Sequence, residues 1–295
     1  MSVRRGLLHA AAAILLAAAL PACHARPAAV ADSASADTLF DLAYGSAPAQ
    51  RLDVYRPKDA RQAPLILMVH GGAWRIGDKR NRAVVENKLA RWLPKGFIFV
   101  SVNNRLLPDA GPLEQAADVA RALAYVQRTA PSWGGDPERI VLMGHSAGAH
   151  LVSLLSANPD KAYRLGAKRW LGSVALDSAA YDMTAIMQAE HYRFYDQAFG
   201  DDPAYWKAAS PLQVLNRDAL PILAVCSTER KDRPCDQAGE FVRQARTLGV
   251  RAELSPQPMS HREINQDLGL ANDETETVEA FMASLDPEIR RRLSR

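Results

Sequence analysis

Ser146 stands in Gly144-His145-Ser146-Ala147-Gly148, between the apolar run Ile140-Val141-Leu142-Met143 and the small, apolar stretch Ala149 to Leu155. Strand, Gly-x-Ser-x-Gly, helix is the order of a nucleophile elbow. The glycines permit a turn too tight for side chains, and the turn lifts a serine oxygen above the sheet edge. The chemistry of such a serine is nucleophilic attack on a carbonyl. A neutral hydroxyl needs a base within hydrogen-bond reach for that, and the base needs a third group to orient it.

In this kind of site the acid and then the histidine follow the serine along the chain. Three histidines follow Ser146. His150 lies one helical turn further along the same buried helix and cannot reach back productively, and His191 sits in a long stretch between strands. His261, in Pro258-Met259-Ser260-His261, comes just after the strand-like Ala252 to Leu254 and before the last helix, which makes it the base. The acid is expected in the loop after the strand Ile222 to Val225. That loop runs from Cys226 to Asp236 and offers three carboxylates. Asp232, in mid-loop, is the first choice, Glu229 the second, and Asp236, read as a helix N-cap, the third.

A second glycine-rich turn, His70-Gly71-Gly72-Ala73-Trp74, directly follows a strand-like run. Glycines there let main-chain N–H groups approach a substrate oxygen, and the residue after the nucleophile supplies another donor. Gly72, Ala73 and Ala147 are therefore the expected oxyanion donors, with His70 a structural residue. A phosphate cradle would need a following Gly-Lys-Ser/Thr, which is missing. Cys226 and Cys235, nine positions apart, suit a disulfide in an oxidising compartment. Two thiols with no histidine nearby do not make a metal site, and no cofactor is implied.

The elements that must position these residues alternate. Leu65 to Val69, Phe97 to Val102, Ile140 to Met143, Val174 to Leu176 and Ile222 to Val225 are short, continuous apolar runs, as in parallel strands buried on both faces. Helical periodicity lies between them: Val85, Leu89, Trp92; Ala116, Val119, Leu123, Val126; Ala238, Phe241, Val242, Ala245; and Val278, Phe281, Met282, Leu285. The pattern predicts an α/β fold with a doubly wound, mostly parallel sheet and helices on both faces. Thr38 to Tyr44 and Arg51 to Tyr55 read as an antiparallel hairpin leading in. Residues 178–211 are too long for an ordinary connection and predict a partly helical insertion over the active site. The domain is expected over residues 39–285, after a linker at 32–38, with 286–295 a basic, solvated C-terminal tail.

Residues 1–31 differ in character. Arg4 and Arg5 lead into an apolar run from Leu7 to Leu20, too short to span a bilayer, and then into small residues: the form of a secretory signal peptide. Two processing sites compete. Leu20-Pro21-Ala22-Cys23 is similar to a lipobox and would make Cys23 a membrane tether, whereas Ala29-Val30-Ala31 fits ordinary cleavage before Asp32. Either implies an exported protein, periplasmic or secreted. The leader holds three arginines and no acid, so residues 32–295 carry 33 basic and 33 acidic side chains. That balance implies no nucleic-acid partner.

Leu52-Asp53-Val54-Tyr55-Arg56-Pro57, His70 to Lys79, Asn104-Arg105-Leu106, Gly134 to Ile140 and Gly144 to Leu151 together resemble the α/β-hydrolase superfamily, over residues 40–285. Within it they are most similar to the small esterase/lipase, feruloyl-esterase-like branch. The resemblance implies an α/β-hydrolase fold and serine catalysis, and leaves the substrate open. It also implies an acid where Arg230 stands, four residues past Cys226. The acid has then moved to Asp232 or Glu229, or the triad is incomplete. The same His-Gly-Gly and Gly-His-Ser-Ala-Gly-Ala-His-Leu wording resembles kynurenine formamidases, a cytosolic role that export argues against.

The first reading is a carboxylic-ester hydrolase that acts on a small-molecule ester through an acyl-enzyme. Seven of the chain's twenty aromatic residues fall within Tyr181 to Trp206, which favours short or aromatic acyl groups if they line the pocket. Amide hydrolysis, formamidase- or peptidase-like, is the alternative enzyme. A catalytically silent binding protein on the same fold has Arg230 as its sole support.

Overall fold

A computed structural model describes residues 36–295. The leader, both processing sites and the first residues of the linker lie outside the described residues. Among the described residues eight strands form one sheet in the order β1–β2–β4–β3–β5–β6–β7–β8. They are β1 (Ala36–Ala43), β2 (Arg51–Pro57), β3 (Ala63–Val69), β4 (Ile98–Val102), β5 (Gly135–His145), β6 (Gly172–Leu176), β7 (Ile222–Ser227) and β8 (Ala252–Gln257). The β1–β2 and β2–β4 pairs are antiparallel and the rest are parallel.

Strands β3, β4 and β6 are buried at every position, the signature of a sheet covered on both sides. Their side chains alternate between two cores. Leu65, Leu67 and Val69 face one core with α2 (Pro112–Thr129), α3 (Ala147–Ala157) and α9 (Pro234–Thr247). Ile66 and Met68 face the other, with α1 (Arg82–Trp92), α11 (Asp273–Leu285) and α12 (Pro287–Leu293). The short α4 (Asp160–Tyr163) and α10 (Glu263–Gln266) complete the two layers.

Between β6 and β7 the chain forms four short helices: α5 (Met183–Met187), α6 (Arg193–Phe199), α7 (Pro203–Ala208) and α8 (Pro211–Val214). Asp182 and Asp202 cap α5 and α7 with their side chains. Gly200 ends α6 at a φ of 59°, where a side chain would be strained.

Both ends of the domain differ from the sequence reading. Strand β1 begins at Ala36, inside the expected linker 32–38, because Ala36 pairs with Pro57 and extends the hairpin. Residues 286–295 are not a free tail. Asp286 caps α12, Ile289 is fully buried, and the Arg292 guanidinium donates to the carbonyls of Gly96 and Arg61 at 2.7 and 2.9 Å. An apolar residue and an arginine with backbone acceptors dock a helix that charge alone would have left in solvent.

Candidate active site

Strand β5 runs along the middle of the sheet and stops at His145, and α3 starts at Ala147. Ser146 between them has φ 55° and ψ −116°, with its N–H held by the Leu176 carbonyl at 2.9 Å. The flanking glycines are required by space. A Cβ on Gly144 would lie 2.4 Å from the Gly148 carbonyl oxygen, and one on Gly148 would lie 2.4 Å from that of Val69. The turn therefore closes only with glycine at both positions, and it points Ser146 into a cavity of about 640 Å³ at the C-terminal edge of the sheet.

His261, in the loop after β8, reaches over this edge. Its Nε2 is 3.0 Å from Ser146 Oγ and its Nδ1 is 2.5 Å from Asp177 Oδ2. The carboxylate facing the imidazole is thus not the expected Asp232. It belongs to Asp177, the residue directly after β6. Asp232 lies one residue pair further out, with both oxygens on the Arg230 guanidinium at 2.9 and 2.5 Å. Glu229 is exposed, and Asp236 sits in the first turn of α9 paired with Arg233, rather than at its N-cap.

The reason lies in the sheet order. Strand β6 is the immediate neighbour of β5 and pairs His145 with Leu176, so the residue after Leu176 emerges beside the nucleophile. Asp177 is fully buried and accepts bonds from the Ser227 N–H at 2.8 Å and from Arg230 Nη1 at 2.9 Å. Burial acts to raise its carboxyl. The His261 hydrogen bond, the Arg230 charge and the Ser227 N–H outweigh burial and hold it below the ordinary carboxylate range, so it stays ionised. One sequence signal could have found it: an ionisable residue immediately after the apolar run Val174-Ala175-Leu176, on the edge where the serine emerges.

Arg230 occupies the place where an acid was implied. Its loop is closed by the Cys226–Cys235 disulfide, whose Cα atoms are 5.2 Å apart. By the chain-entropy estimate a loop of this size adds about 2–3 kcal/mol.

On the other side of the serine, Gly72, Ala73 and Ala147 line the cavity, and among the described residues none of their N–H groups has a protein acceptor. Gly72 and Ala73 have φ of 129° and 49°. At Gly72 a Cβ would sit 1.9 Å from the Ile76 carbonyl oxygen, so this turn too needs its glycine. The turn is braced from behind. Trp74 Nε1 donates to His150 Nδ1 at 3.2 Å, and His150 Nε2 donates to the Ala209 carbonyl at 2.7 Å, joining the glycine turn, α3 and the insertion. Arg75 donates to Gln197 on α6 at 2.6 Å, a second tie between turn and insertion.

The other buried histidines are structural. Burial pushes His145 down to about 3 and His150 to about 4, so both rings are neutral near pH 7. His145 Nε2 donates to the His261 carbonyl at 2.9 Å, and its ring lies 4.5 Å from the His261 ring, fixing the loop that carries the base. His70 Nδ1 donates to the Gly71 carbonyl at 2.8 Å. His191 lies away from the serine, paired with Asp196 at 2.9 Å. Among the described residues no group of three or more His, Cys, Asp or Glu side chains is placed to hold a metal ion.

The insertion's aromatics divide between packing and lining. Tyr181 is fully buried against Phe241, with ring centroids 5.0 Å apart. Tyr192, Phe194 and Tyr195 line the cavity with Trp74, while Phe199 packs on Trp74 from behind at 4.9 Å.

The BD-FAE family profile matches residues 52–244. Among curated proteins the chain is 32% identical over 229 residues to esterase LipQ of Mycobacterium tuberculosis, covering 71% of this chain and 53% of the relative. It is 27% identical over 238 residues to isoprenylcysteine alpha-carbonyl methylesterase ICME of Arabidopsis thaliana, covering 72% of this chain and 53% of the relative. The chain spans about half the length of these curated relatives. Among solved structures, esterase B from Lactobacillus rhamnosis superposes with a TM-score of 0.68 at 20% identity, covering 88% of this chain and 87% of that one. That likeness places the architecture among α/β-hydrolase folds.

Proposed function

We propose that this chain, which belongs to the BD-FAE family, is a serine carboxylic-ester hydrolase working through an acyl-enzyme. The observation that carries the reading is the unbroken chain Ser146 Oγ, His261 Nε2, His261 Nδ1, Asp177 Oδ2, at 3.0 and 2.5 Å. In this reading Asp177 holds the Nδ1–H tautomer, so Nε2 is free to take the Ser146 proton as Oγ attacks the ester carbonyl. The N–H groups of Gly72, Ala73 and Ala147 receive the oxyanion. His261 then passes its proton to the leaving alcohol. A water, deprotonated by the same nitrogen, releases the acid and frees Ser146.

The substrate reading follows from which side each group must occupy. The alcohol leaves with a proton from His261, so it lies on the His261–Asp177 side of the serine. There the main cavity adjoins a second one of about 420 Å³, and Ala179, Tyr192, Tyr195, Lys231 and Asp232 line both. The acyl side faces Trp74 and Phe194, with Phe199 behind them. This arrangement supports short or aromatic acyl groups on an alcohol large enough to enter the second cavity.

The test is hydrolysis of nitrophenyl esters of increasing acyl length by the purified protein and its S146A variant. The reading expects activity that peaks at short or aromatic acyl groups. Loss in the variant should be on the order of 10⁴-fold or more with an unchanged Tm. Turnover retained by S146A, or none by the wild type on any ester, overturns it.

A further inference from the structure

Arg230 puts a positive charge where the base must itself become positive. Its Nη1 lies 3.0 Å from His261 Nδ1, 2.9 Å from Asp177 Oδ2 and 3.0 Å from the Asp177 carbonyl oxygen. While Nδ1–H donates to Asp177, that nitrogen has no lone pair to offer, so the guanidinium bonds only to Asp177 and merely abuts the imidazole. Taken alone, the Asp177–Arg230 pair sums to zero charge and leaves an imidazolium without a net counter-ion. Asp232 changes the sum. Its two oxygens accept from Nε at 2.9 Å and Nη2 at 2.5 Å in a two-pronged fork, with side-chain exposures of only 19% for Arg230 and 22% for Asp232.

We propose that Arg230 and Asp232 act as a pair of positioning residues. Arg230 fixes the Asp177 carboxylate against His261, and Asp232 cancels the guanidinium so that the imidazolium of the transition state still faces one net negative charge. The inference rests on the ester-hydrolase reading above. It gives the expected acid, Asp232, a role one step removed from the base. It also accounts for an arginine in the place where an acid was implied.

The other groups around His261 do not substitute for Asp232. His145, whose tilted ring lies against that of His261, is neutral, and Tyr195, from the insertion, is held un-ionised by burial. Glu263, on α10, turns to the Ser260 N–H at 2.8 Å. Lys88 on α1 helps hold His145 neutral, and Glu274 on α11, whose carboxyl is pushed up chiefly by burial, feels both Lys88 and Asp177.

The experiment is the pH profile of kcat/KM for nitrophenyl acetate in wild type, D232N, R230Q, R230Q/D232N and R230K, with Tm and circular dichroism recorded for each. Removing the Asp232 charge disfavours the imidazolium, so the acid limb of D232N moves to lower pH by about one unit, and kcat falls about tenfold. Removing the guanidinium does the opposite, and the limb of R230Q moves to higher pH. The double variant restores one net negative charge and returns the limb to near the wild-type position, with kcat still reduced because Asp177 has lost its brace. R230K keeps the charge and loses the fork, so it lowers kcat without moving the limb.

Limbs that do not move, or that move in the same direction in D232N and R230Q, overturn the proposal. S146A separates this failure from that of the underlying reading. If S146A is inactive and the limbs stay fixed, only the Arg230–Asp232 role falls. If S146A retains turnover, the hydrolase reading falls first.

Discussion

Asp177 concentrates the energetics of the site in one residue. It has a φ of 55°, is fully buried, and carries a charge that only three donors make tolerable: His261, Arg230 and the Ser227 N–H. In D177N, the amide that replaces the carboxylate can turn its N–H₂ toward Nδ1 and favour the wrong imidazole tautomer. We expect kcat to fall on the order of 10³–10⁴-fold, against about tenfold for D232N and no change for the exposed E229Q. Parallel kcat measurements on the three variants check this ordering. A loss in D232N as deep as in D177N would make Asp232 the orienting acid after all. Ser146 and His261 were legible because a serine between two glycines and a histidine after the last strand are local patterns. Asp177 carried one local signal, its place directly after Val174-Ala175-Leu176, but nothing local ranked it above the three carboxylates of the loop after β7.

Among the elements, the insertion between β6 and β7 decides what reaches the serine. Helices α5 and α6 border the second cavity through Ala185, Ile186 and Tyr195, and α6 is latched to the glycine turn by Arg75–Gln197. Ala185, an exposed residue of α5, lines that second cavity and not the main one, so A185F should narrow it without touching Ser146 or His261. The expected result is a rise in KM of roughly tenfold for esters of bulky alcohols and no change for methyl or ethyl esters of the same acid. Steady-state kinetics on matched ester pairs measures it, and an equal effect on both would mean the alcohol does not enter the second cavity. The presence of an insertion could be read from its length. Which of its aromatics line the cavity could not, since Tyr181 and Tyr195 are equally apolar in sequence and differ only in the neighbours the fold provides.

For the whole molecule, a pair of buried ionisable groups contributes to how stability depends on pH. Glu274 on α11 is 1% exposed, and neither of its carboxylate oxygens has a hydrogen-bond partner among the described residues. Burial pushes its carboxyl up to about 8, with the Lys88 ammonium pulling the other way. Lys88, fully buried on α1, is pushed down to about 7 by the same desolvation. The folded protein keeps the Glu274 proton where the unfolded chain has already released it. Its contribution to stability is therefore complete below the ordinary glutamate range, at about 4.3, and is lost as pH rises toward 8. Lys88 acts in reverse, and its contribution grows as pH rises above 7. Between pH 5 and 7 Lys88 adds little, but the buried neutral His145 and His150 raise stability as the unfolded chain gives up their protons, so the Glu274 slope is read as the difference between wild type and E274Q. E274Q should remove the Glu274 part, gaining stability over wild type at pH 7 relative to pH 5. Thermal melts across that range test the sign, and a wild-type Tm that rises from pH 5 to 7 in step with the variant's would refute it.

Local sequence was enough for those features that short-range sterics dictate. The elbow at Ser146, the glycine turn at Gly71-Gly72 and the alternation of buried strands with amphipathic helices each follow from what a few neighbouring residues permit. The bond between Cys226 and Cys235 was within reach for the same reason. The orienting carboxylate was a tertiary decision. Two strands, β6 and β7, deliver carboxylates to the same edge of the sheet, and only the strand order, with β6 hydrogen-bonded directly to β5, puts Asp177 against His261 and leaves Asp232 behind Arg230. The docking of α12 was decided in the same way. A run of arginines reads as solvated until the fold supplies the carbonyls of Gly96 and Arg61 that one of them can reach.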